Sequence, residues 1–517
     1  MKTIKDLLYQ DLAKANLSNW DKTKRRWARQ LGKIPSNTEI IKAYHSLLTE
    51  QKIEPNKALE TSLRVRKVRT LSGVAPFAVM MKPWPCPGNC IYCPNEAGMP
   101  KSYMSDEPAA ARAKNLQFDP KLQVQTRIKQ MEAIGHKPQK IQIIVIGATF
   151  SAYPNVYKKQ FIKAIFDACN GQTAKTLEQA QKLNETATYR IVGMSVETRP
   201  DWINKKEVVL LRKLGVTKVQ LGVQSLDETV LKTIGRGHDV LAVRKATKLL
   251  RDGGFKICYH LMPNLPGSNP RLDVRVAKQI FTDSDFRPDT VKIYPCIVVP
   301  GTRLYELWQQ GNYQSYDDKI LAKTLIEIKK LVPKYCRIDR LVRDITTSWT
   351  ASGTKKTNMR QLIAEEMKKQ NISCQCIRCR EIKDQVHETS KPDLLVLPIK
   401  ISGASEYFLS FESKDHLFAL LRLRLPNKNE LSKYFSVLED AAIIREVQVF
   451  GEQIEFSKHE KQATQHKHYG RKLIAQAEKI AKEHGFSKIA IISGVGVRTY
   501  YERLGYKLEQ TYMVKKN

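Results

Sequence analysis

Short apolar runs, each followed by a helical stretch, recur between residues 74 and 295, and this alternation leaves the chain few folds to choose from. The runs are Val74–Met81, Ile141–Ile146, Arg190–Val196, Lys218–Val223, Lys256–Leu261 and Thr290–Pro295. Helical patterns lie between them, as in Gln125–Ile134, Lys158–Cys169 and Val240–Leu250. Strands alternating with helices build βαβ units, which set the strands parallel and bury both of their faces. Six such units predict a partial (β/α)6 barrel over residues 71–345. In barrels of this kind the reacting groups sit at the carboxyl ends of the strands.

The strand ends fit that rule. The first run leads into Pro85-Cys86-Pro87-Gly88-Asn89-Cys90-Ile91-Tyr92-Cys93-Pro94. Three thiolates at C-x3-C-x2-C on one tight loop can hold three irons of a cubane cluster. Such clusters normally take four cysteines, so one iron stays open for a substrate. A zinc knuckle would need a fourth ligand close by, and the loop has none. The second run ends in Gly147-Ala148-Thr149, small residues that let a cofactor approach the backbone. The third ends in Glu197-Thr198-Arg199, a carboxylate for a ribose or amine and a guanidinium for an anion. The fourth ends in Gln224-Ser225, ahead of Arg236-Gly237-His238, and the fifth in His260-Leu261-Met262-Pro263. Any one end is ordinary turn chemistry, but polar ends in succession make an active-site rim.

Residues 1–70 read as short basic helices. The stretch from Trp20 to Gln30 interleaves tryptophan with Lys22, Lys24, Arg25, Arg26 and Arg29, and Arg64-Val65-Arg66-Lys67-Val68-Arg69 adds further cations. Cations grip phosphates and an indole stacks on an unpaired base, so the segment is a candidate RNA contact. The alternative is a solvated helix with buried tryptophans. The net charge of the 517-residue chain, +35, suits a polyanion such as RNA or DNA. A chain this long, 42% hydrophobic and 27% charged, is expected to be globular with two to four domains. Its 10 cysteines cluster at 86–93 and 374–379, unlike a secreted disulfide framework. The first residues lack a signal-peptide core and the apolar runs are too short to span a bilayer. A cytoplasmic protein off the membrane is expected.

Residues 346–390 form a linker containing Cys374-Gln375-Cys376-Ile377-Arg378-Cys379. C-x-C-x2-C is metal-ligand spacing, and Cys296 at the end of the sixth run would complete a closed, structural zinc site. Free buried thiols are the alternative. Residues 391–517 change rhythm, with strands at Leu394–Ile401, Tyr407–Glu412, Leu417–Leu425 and Ala442–Phe450. A helix over Arg471–His484, a strand at Lys488–Ile492, a helix at Val497–Leu504 and a last strand follow. The result is a mixed α+β unit.

This last unit resembles the acyl-CoA-binding (GNAT-like) acetyltransferases, in which a helix amino terminus offers its N–H groups to a pyrophosphate. Here Gln465-His466-Lys467-His468-Tyr469-Gly470-Arg471 departs from Q/R-x-x-G-x-G, because His468 stands at the first glycine while Gly470 is kept. Tyr500 and Tyr501 lie on a stretch that resembles the family's closing helix, where a tyrosine hydroxyl sits near the thioester. The cysteine spacing with Tyr92 resembles the radical-SAM superfamily. A radical-SAM barrel joined to such a unit resembles the catalytic subunit of Elongator in its single-chain bacterial or archaeal form. The matching stretches, among them Cys86–Pro94, Lys140–Phe150, Lys292–Leu307, Arg445–Gly451 and Ile491–Tyr506, run from about residue 64 to 517.

The resemblance implies a tRNA-modifying enzyme that forms 5-carboxymethyluridine at the anticodon wobble position. It implies a 4Fe-4S cluster on Cys86, Cys90 and Cys93 that cleaves S-adenosylmethionine reductively. The radical so formed takes hydrogen from the acetyl methyl of acetyl-CoA, the carbon radical adds at uridine C5, and thioester hydrolysis frees the product. Neither carbon is reactive by itself, so the cofactor carries the hard step. Acetyl-CoA contacts are implied at Lys140, at Glu446, Val447, Gln448 and Val449, at Tyr469, Gly470 and Arg471, and at Tyr501. Gly147, Thr149, Glu197, Arg199 and Gln224 complete the expected cofactor contacts. Expected partners are the tRNA anticodon stem-loop and an electron donor, with the chain a monomer or a homodimer. The competing readings are a protein lysine acetyltransferase with a merely structural cluster, which the positive charge disfavours, and an RNA-binding scaffold.

Overall fold

A computed structural model of the protein describes residues 3–13, 20–65, 70, 73–343, 345–382, 391–414, 416–451 and 468–517. Arg66 and Lys67, expected to touch RNA, and Gln465-His466-Lys467, ahead of the helix expected to bind acyl-CoA, lie outside them.

The centre is a parallel sheet of seven strands in sequential order. These are β1 (Ala75–Met80), β2 (Lys140–Ile146), β3 (Arg190–Thr198), β4 (Lys218–Gln224), β5 (Lys256–Leu261), β6 (Thr290–Ile293) and β7 (Arg337–Leu341). β1 and β7 do not pair, so the sheet is a barrel left open on one side. Phe77, Val79, Ile143, Val219, Leu221 and Ile257 are at most 1% exposed. Each such side chain contributes about 1.5–3 kcal/mol by leaving water, which is what closes the helices onto the strands.

The expected count of six strands is corrected by β7. Arg337-Ile338-Asp339-Arg340-Leu341 mixes charge with apolar residues because Arg337 and Asp339 line an internal cavity while Ile338 faces the core. A buried parallel strand normally reads as a continuous apolar run, so the polar lumen hid this one from periodicity.

Four helices, Ile4–Ala13, Trp20–Leu31, Asn37–Thr49 and Lys57–Leu63, make a small amino-terminal unit with its own core around Leu8, Ile40, Tyr44 and Leu47. Trp27 belongs to that core, 1% exposed, and its Nε1–H donates to Asp11 Oδ2 at 2.7 Å. Trp20 packs edge-on against it at 5.8 Å. Seven residues apart on a helix, both indoles fall on the apolar face. They are structural, and the expectation that they stack on bases is withdrawn.

The carboxyl-terminal unit is a second seven-stranded sheet. Its strands are β8 (Asp393–Ile401), β9 (Ala404–Ser413), β10 (His416–Pro426), β11 (Ala441–Val449), β12 (Lys488–Ile491), β13 (Lys507–Glu509) and β14 (Tyr512–Lys516). β8 to β11 are antiparallel, whereas β11 meets β12 in parallel over Ala441–Ile444. A bulge at Arg445 lets Glu446 face Arg422 while Ile444 faces Leu423. Beyond it, Glu446 to Val449 keep β10 on one side and, among the described residues, have no strand on the other. The sheet forks there.

This unit seats on the amino-terminal ends of the barrel strands. A Cβ at Gly494 would collide with the Val192 carbonyl, and one at Gly496 with the start of β3, so only glycine permits the approach. The seam is locked by buried ions. Arg445 binds Asp289 (2.6 and 3.1 Å), Glu406 (3.0 Å) and the Phe255 carbonyl (2.7 Å). Arg251 and Arg424 also donate to Glu406, each at 3.0 Å, and Arg424 reaches Asp252 at 2.6 Å. Lys256 of β5 bonds Glu446 of β11. Among the described residues, no helix is long and apolar enough to cross a membrane.

Candidate active site

The cysteine loop leaves β1 and is pinned from both sides. Ile91 N–H donates to the Ile234 carbonyl (3.1 Å), Leu304 N–H to the Ile91 carbonyl (3.0 Å), and Lys101 Nζ to the Gly88 carbonyl (2.9 Å). Cys86, Cys90 and Cys93 all line one cavity of about 610 Å³. Burial, then the neighbouring Cys90 and Cys86, push the Cys93 thiol up to about 12. Three thiolates crowded this way need a positive charge between them.

Two arginines face the loop, each held by its other nitrogens. Arg199 is gripped by Asp201 (3.0 and 2.9 Å). Its Nη1 is buried without a partner and lies where a Cβ at Gly88 would be. Arg236 donates twice to the Gly222 carbonyl, through Nε at 3.2 Å and Nη2 at 2.5 Å, and its Nη1 lies 3.4 Å from Cys90 Sγ. Gln224 takes a left-handed backbone (φ 69°) and leaves Oε1 buried and unpartnered beside the same cavity. Orphaned buried polar atoms are costly, and two of them around three thiols fit a cluster and a polar ligand bound there. Thr149 Oγ1 lies 3.8 Å from Cys86 Sγ. Gly147, at φ 130°, takes a backbone that side chains rarely adopt, and a Cβ there would press on Met81 at 3.1 Å.

Below the loop the lumen is polar. Glu197 accepts from Tyr103 Oη (2.7 Å) and Lys292 Nζ (3.2 Å). Burial would raise its carboxyl, but Lys292, His260 and the Tyr103 hydrogen bond outweigh that and hold it at about 2. Burial, then Lys292, push His260 down to about 3, so the ring is neutral at working pH. Its Nε2 is 3.2 Å from Gln220 Oε1. Lys218 and Asp339 pair across the far end of the cavity. The sequence reading missed Lys101, Tyr103, Lys218, Lys292 and Asp339. A usable signal was there: lysine or aspartate inside an apolar strand is costly unless it is paired.

The expected acyl-CoA residues gather at the fork. A Cβ on Gly470 would lie 3.1 Å from the Tyr500 hydroxyl and within 3.9 Å of Val449 and Val447. The helix Tyr469–Glu483 thus starts against the unpaired half of β11, with Gly470 in its first turn. His468 precedes it at φ 59°, the left-handed backbone that explains why glycine is the common residue there. Arg471 is exposed, and Gln448 is half-buried. The two tyrosines diverge. Tyr501 is buried and packs on Tyr506, whereas Tyr500 is 36% exposed. Glu446 is tied to Lys256 and, at 2.7 Å, to Arg422. Lys140 opens β2 at the seam end of the barrel, far along the strand from the cysteine loop, and burial lowers its ammonium to about 8.

Cys374, Cys376 and Cys379 place their sulfurs within 4.8 Å of one another. Hydrogen bonds from Cys374 and Cys379 favour the thiolate at Cys376. Cys296 is not with them, which corrects the expected fourth ligand. It is buried in a cluster with Ile91, Leu265 and Leu304, near Tyr313. It lies beyond the carboxyl end of β6, whereas the cysteine turn sits at the amino-terminal end of β7. The cysteine beside the turn is Cys336, whose carbonyl accepts from Ile377 N–H at 3.0 Å. Of the expected RNA contacts, Lys22, Arg25 and Arg29 are exposed and Lys24 is half-buried, Arg26 pairs with Asp11, and Arg64 Nε donates to the Gly135 carbonyl at 3.2 Å.

Comparison with known proteins bears on this arrangement. Residues 86–275 match the radical SAM superfamily and residues 288–369 the radical SAM C-terminal domain. A Methanocaldococcus jannaschii protein named tRNA uridine(34) acetyltransferase is 43% identical over 93% of this chain and 90% of its own length. Homo sapiens Elongator complex protein 3 is 38% identical over 89% of this chain and 87% of its own. A solved structure of archaeal Methanocaldococcus infernus Elp3 with an amino-terminal deletion superposes with a TM-score of 0.75 at 39% identity, covering 87% of this chain and 100% of that one.

Proposed function

The chain belongs to the radical SAM family that holds Elongator complex protein 3 and the tRNA uridine(34) acetyltransferases, and from that premise we propose that it forms 5-carboxymethyluridine at the tRNA wobble position from acetyl-CoA. The observation that carries the reading is the buried seam that joins the two half-sites: Lys256 of the barrel bonds Glu446 at the fork, next to the buried arginine cage.

Cys86, Cys90 and Cys93 would hold a 4Fe-4S cluster, which with S-adenosylmethionine supplies hydrogen abstraction from an unactivated methyl. Arg199 Nη1 and Gln224 Oε1 offer the polar contacts that orient a bound carboxylate or amine. Glu197 is already spoken for by Lys292 and Tyr103, so it acts by holding Lys292 in the lumen. His260, kept neutral by burial and by Lys292, serves there as a hydrogen-bonding group on Gln220 rather than as a base. At the fork, the N–H groups of the helix's first turn, at Gly470 and Arg471, have no side-chain cap and would be offered to a pyrophosphate, with the Tyr500 hydroxyl close to that turn. The cysteine trio at 374–379 would hold a structural zinc ion. The partners proposed are the anticodon stem-loop of a cytoplasmic tRNA and an electron donor.

The test is nucleoside mass spectrometry of tRNA after anaerobic incubation with reconstituted protein, S-adenosylmethionine, dithionite and methyl-deuterated acetyl-CoA. The expected product is carboxymethyluridine with two deuteriums, the third appearing in 5′-deoxyadenosine. Unmodified uridine together with acetylated lysine on added protein would favour a lysine acetyltransferase instead.

A further inference from the structure

An aromatic ladder with no part in the chemistry proposed for the cavity stands beside the cysteine loop. Trp84, two residues before Cys86, stacks on Tyr153 with centroids 5.8 Å apart and planes 29° apart. Tyr153 stacks in turn on Tyr157, at 5.4 Å and 21°. The lower rungs are fixed. Tyr153 Oη lies 2.7 Å from the Lys82 carbonyl and 3.0 Å from that of Gly147, and Tyr157 Oη accepts from Lys82 N–H at 3.1 Å. Lys82 Nζ sits 4.9 Å over the Tyr157 ring. The top rung is not covered in the same way. Trp84 is 36% exposed, while Tyr153 beneath it is 4% exposed.

We infer that Trp84 is a stacking platform for an unpaired nucleobase of a single-stranded RNA loop, next to the base that enters the cavity. Three features support this. The ring is held ready: Pro83 and Pro85 flank it and fix the backbone on both sides, and the ladder supports its inner face, so stacking costs little entropy. It is placed at the rim, because the Gly147 carbonyl that anchors the ladder closes the same strand end, β2, that faces Cys86. The protein is also strongly cationic, +35, which suits a ligand carrying phosphates on each nucleotide. Every base has a π-face, so the platform tolerates sequence and grips through area alone. Tyr153, the rung directly beneath, is buried, so the outer face of Trp84 is the open end of the stack.

The inference rests on the proposed RNA substrate, and the experiment separates the two. Full-length protein, without S-adenosylmethionine or acetyl-CoA, is titrated into anticodon stem-loop RNAs carrying 2-aminopurine in turn at each loop position. With wild type, fluorescence at one loop position should be quenched on binding. Trp84→Ala should restore that emission and weaken binding roughly tenfold at an unchanged salt slope, because stacking carries no charge. Trp84→Phe should keep most of the affinity, and Trp84→Leu, of similar bulk without a π-face, should not. Wild type that binds no stem-loop would overturn the RNA reading itself. Tight binding with no quenching at any loop position, or Trp84→Leu equal to wild type, would overturn the platform alone.

Discussion

Glu406 is the acceptor on which the seam between the two sheets converges. Its two oxygens take hydrogen bonds from Arg424, Arg251 and Arg445, each at 3.0 Å, and its side chain is 5% exposed. Glu406→Gln keeps the volume and removes the charge, leaving three buried guanidinium groups short of an anion. Breaking a buried pair from one side costs about 3–5 kcal/mol. A second route gives the same size. Burial opposes ionisation, but Arg445, Arg251 and Arg424 more than compensate and lower the carboxyl from 4.5 to about 2. At 1.36 kcal/mol per unit that is about 3 kcal/mol. The sign follows from linkage: a depressed folded-state value stabilises above the unfolded one, and the contribution fades as pH falls through about 4.5 toward 2. Urea denaturation followed by tryptophan fluorescence should therefore show Glu406→Gln less stable by about 3 kcal/mol at pH 7, with the gap narrower by about 1 kcal/mol at pH 4. A variant within about 0.5 kcal/mol of wild type at pH 7 would refute the claim that this carboxylate holds the units together.

Arg236→Gln removes a cation and a hydrogen bond from Cys90 Sγ, so the cluster should accept an electron less readily. Potentiometry monitored by EPR should read a potential more negative by at least about 59 mV, a tenfold shift in the one-electron equilibrium; an unchanged potential would leave this arginine a purely structural role. Cys379→Ser should abolish stoichiometric zinc in metal analysis while Cys296→Ser retains it, and zinc loss in Cys296→Ser would reinstate that thiol as a ligand. Combined Ala substitutions at Lys22, Arg25 and Arg29 should flatten the dependence of log K for tRNA on log salt by about 0.7–0.9 for each phosphate no longer neutralised. A slope equal to that of wild type would place the RNA surface elsewhere.

Local rules carried much of this protein into its sequence. A strand–helix rhythm and a C-x3-C-x2-C loop at a strand end depend on neighbours within a few residues, so Cys86, Gly147 and Arg199 could be named from spacing and strand-end position, and Gly470 from the family resemblance of its helix start. The seventh strand could not, because Arg337 and Asp339 are polar in order to line a lumen that exists only once the barrel has formed. The same holds for Lys292 and Lys218, whose burial makes sense only beside Glu197 and Asp339 from other strands. Trp20 and Trp27 pointed the wrong way: an amphipathic basic helix reads alike whether its indoles meet RNA or a core, and Asp11 decided for the core. Cys296 was assigned by counting ligands, whereas which thiols meet is set by which strand ends share a side of the sheet. Residue type and spacing set what each side chain can do. Long-range packing, which pairs charges and excludes water across elements far apart in the chain, decided what these residues do together.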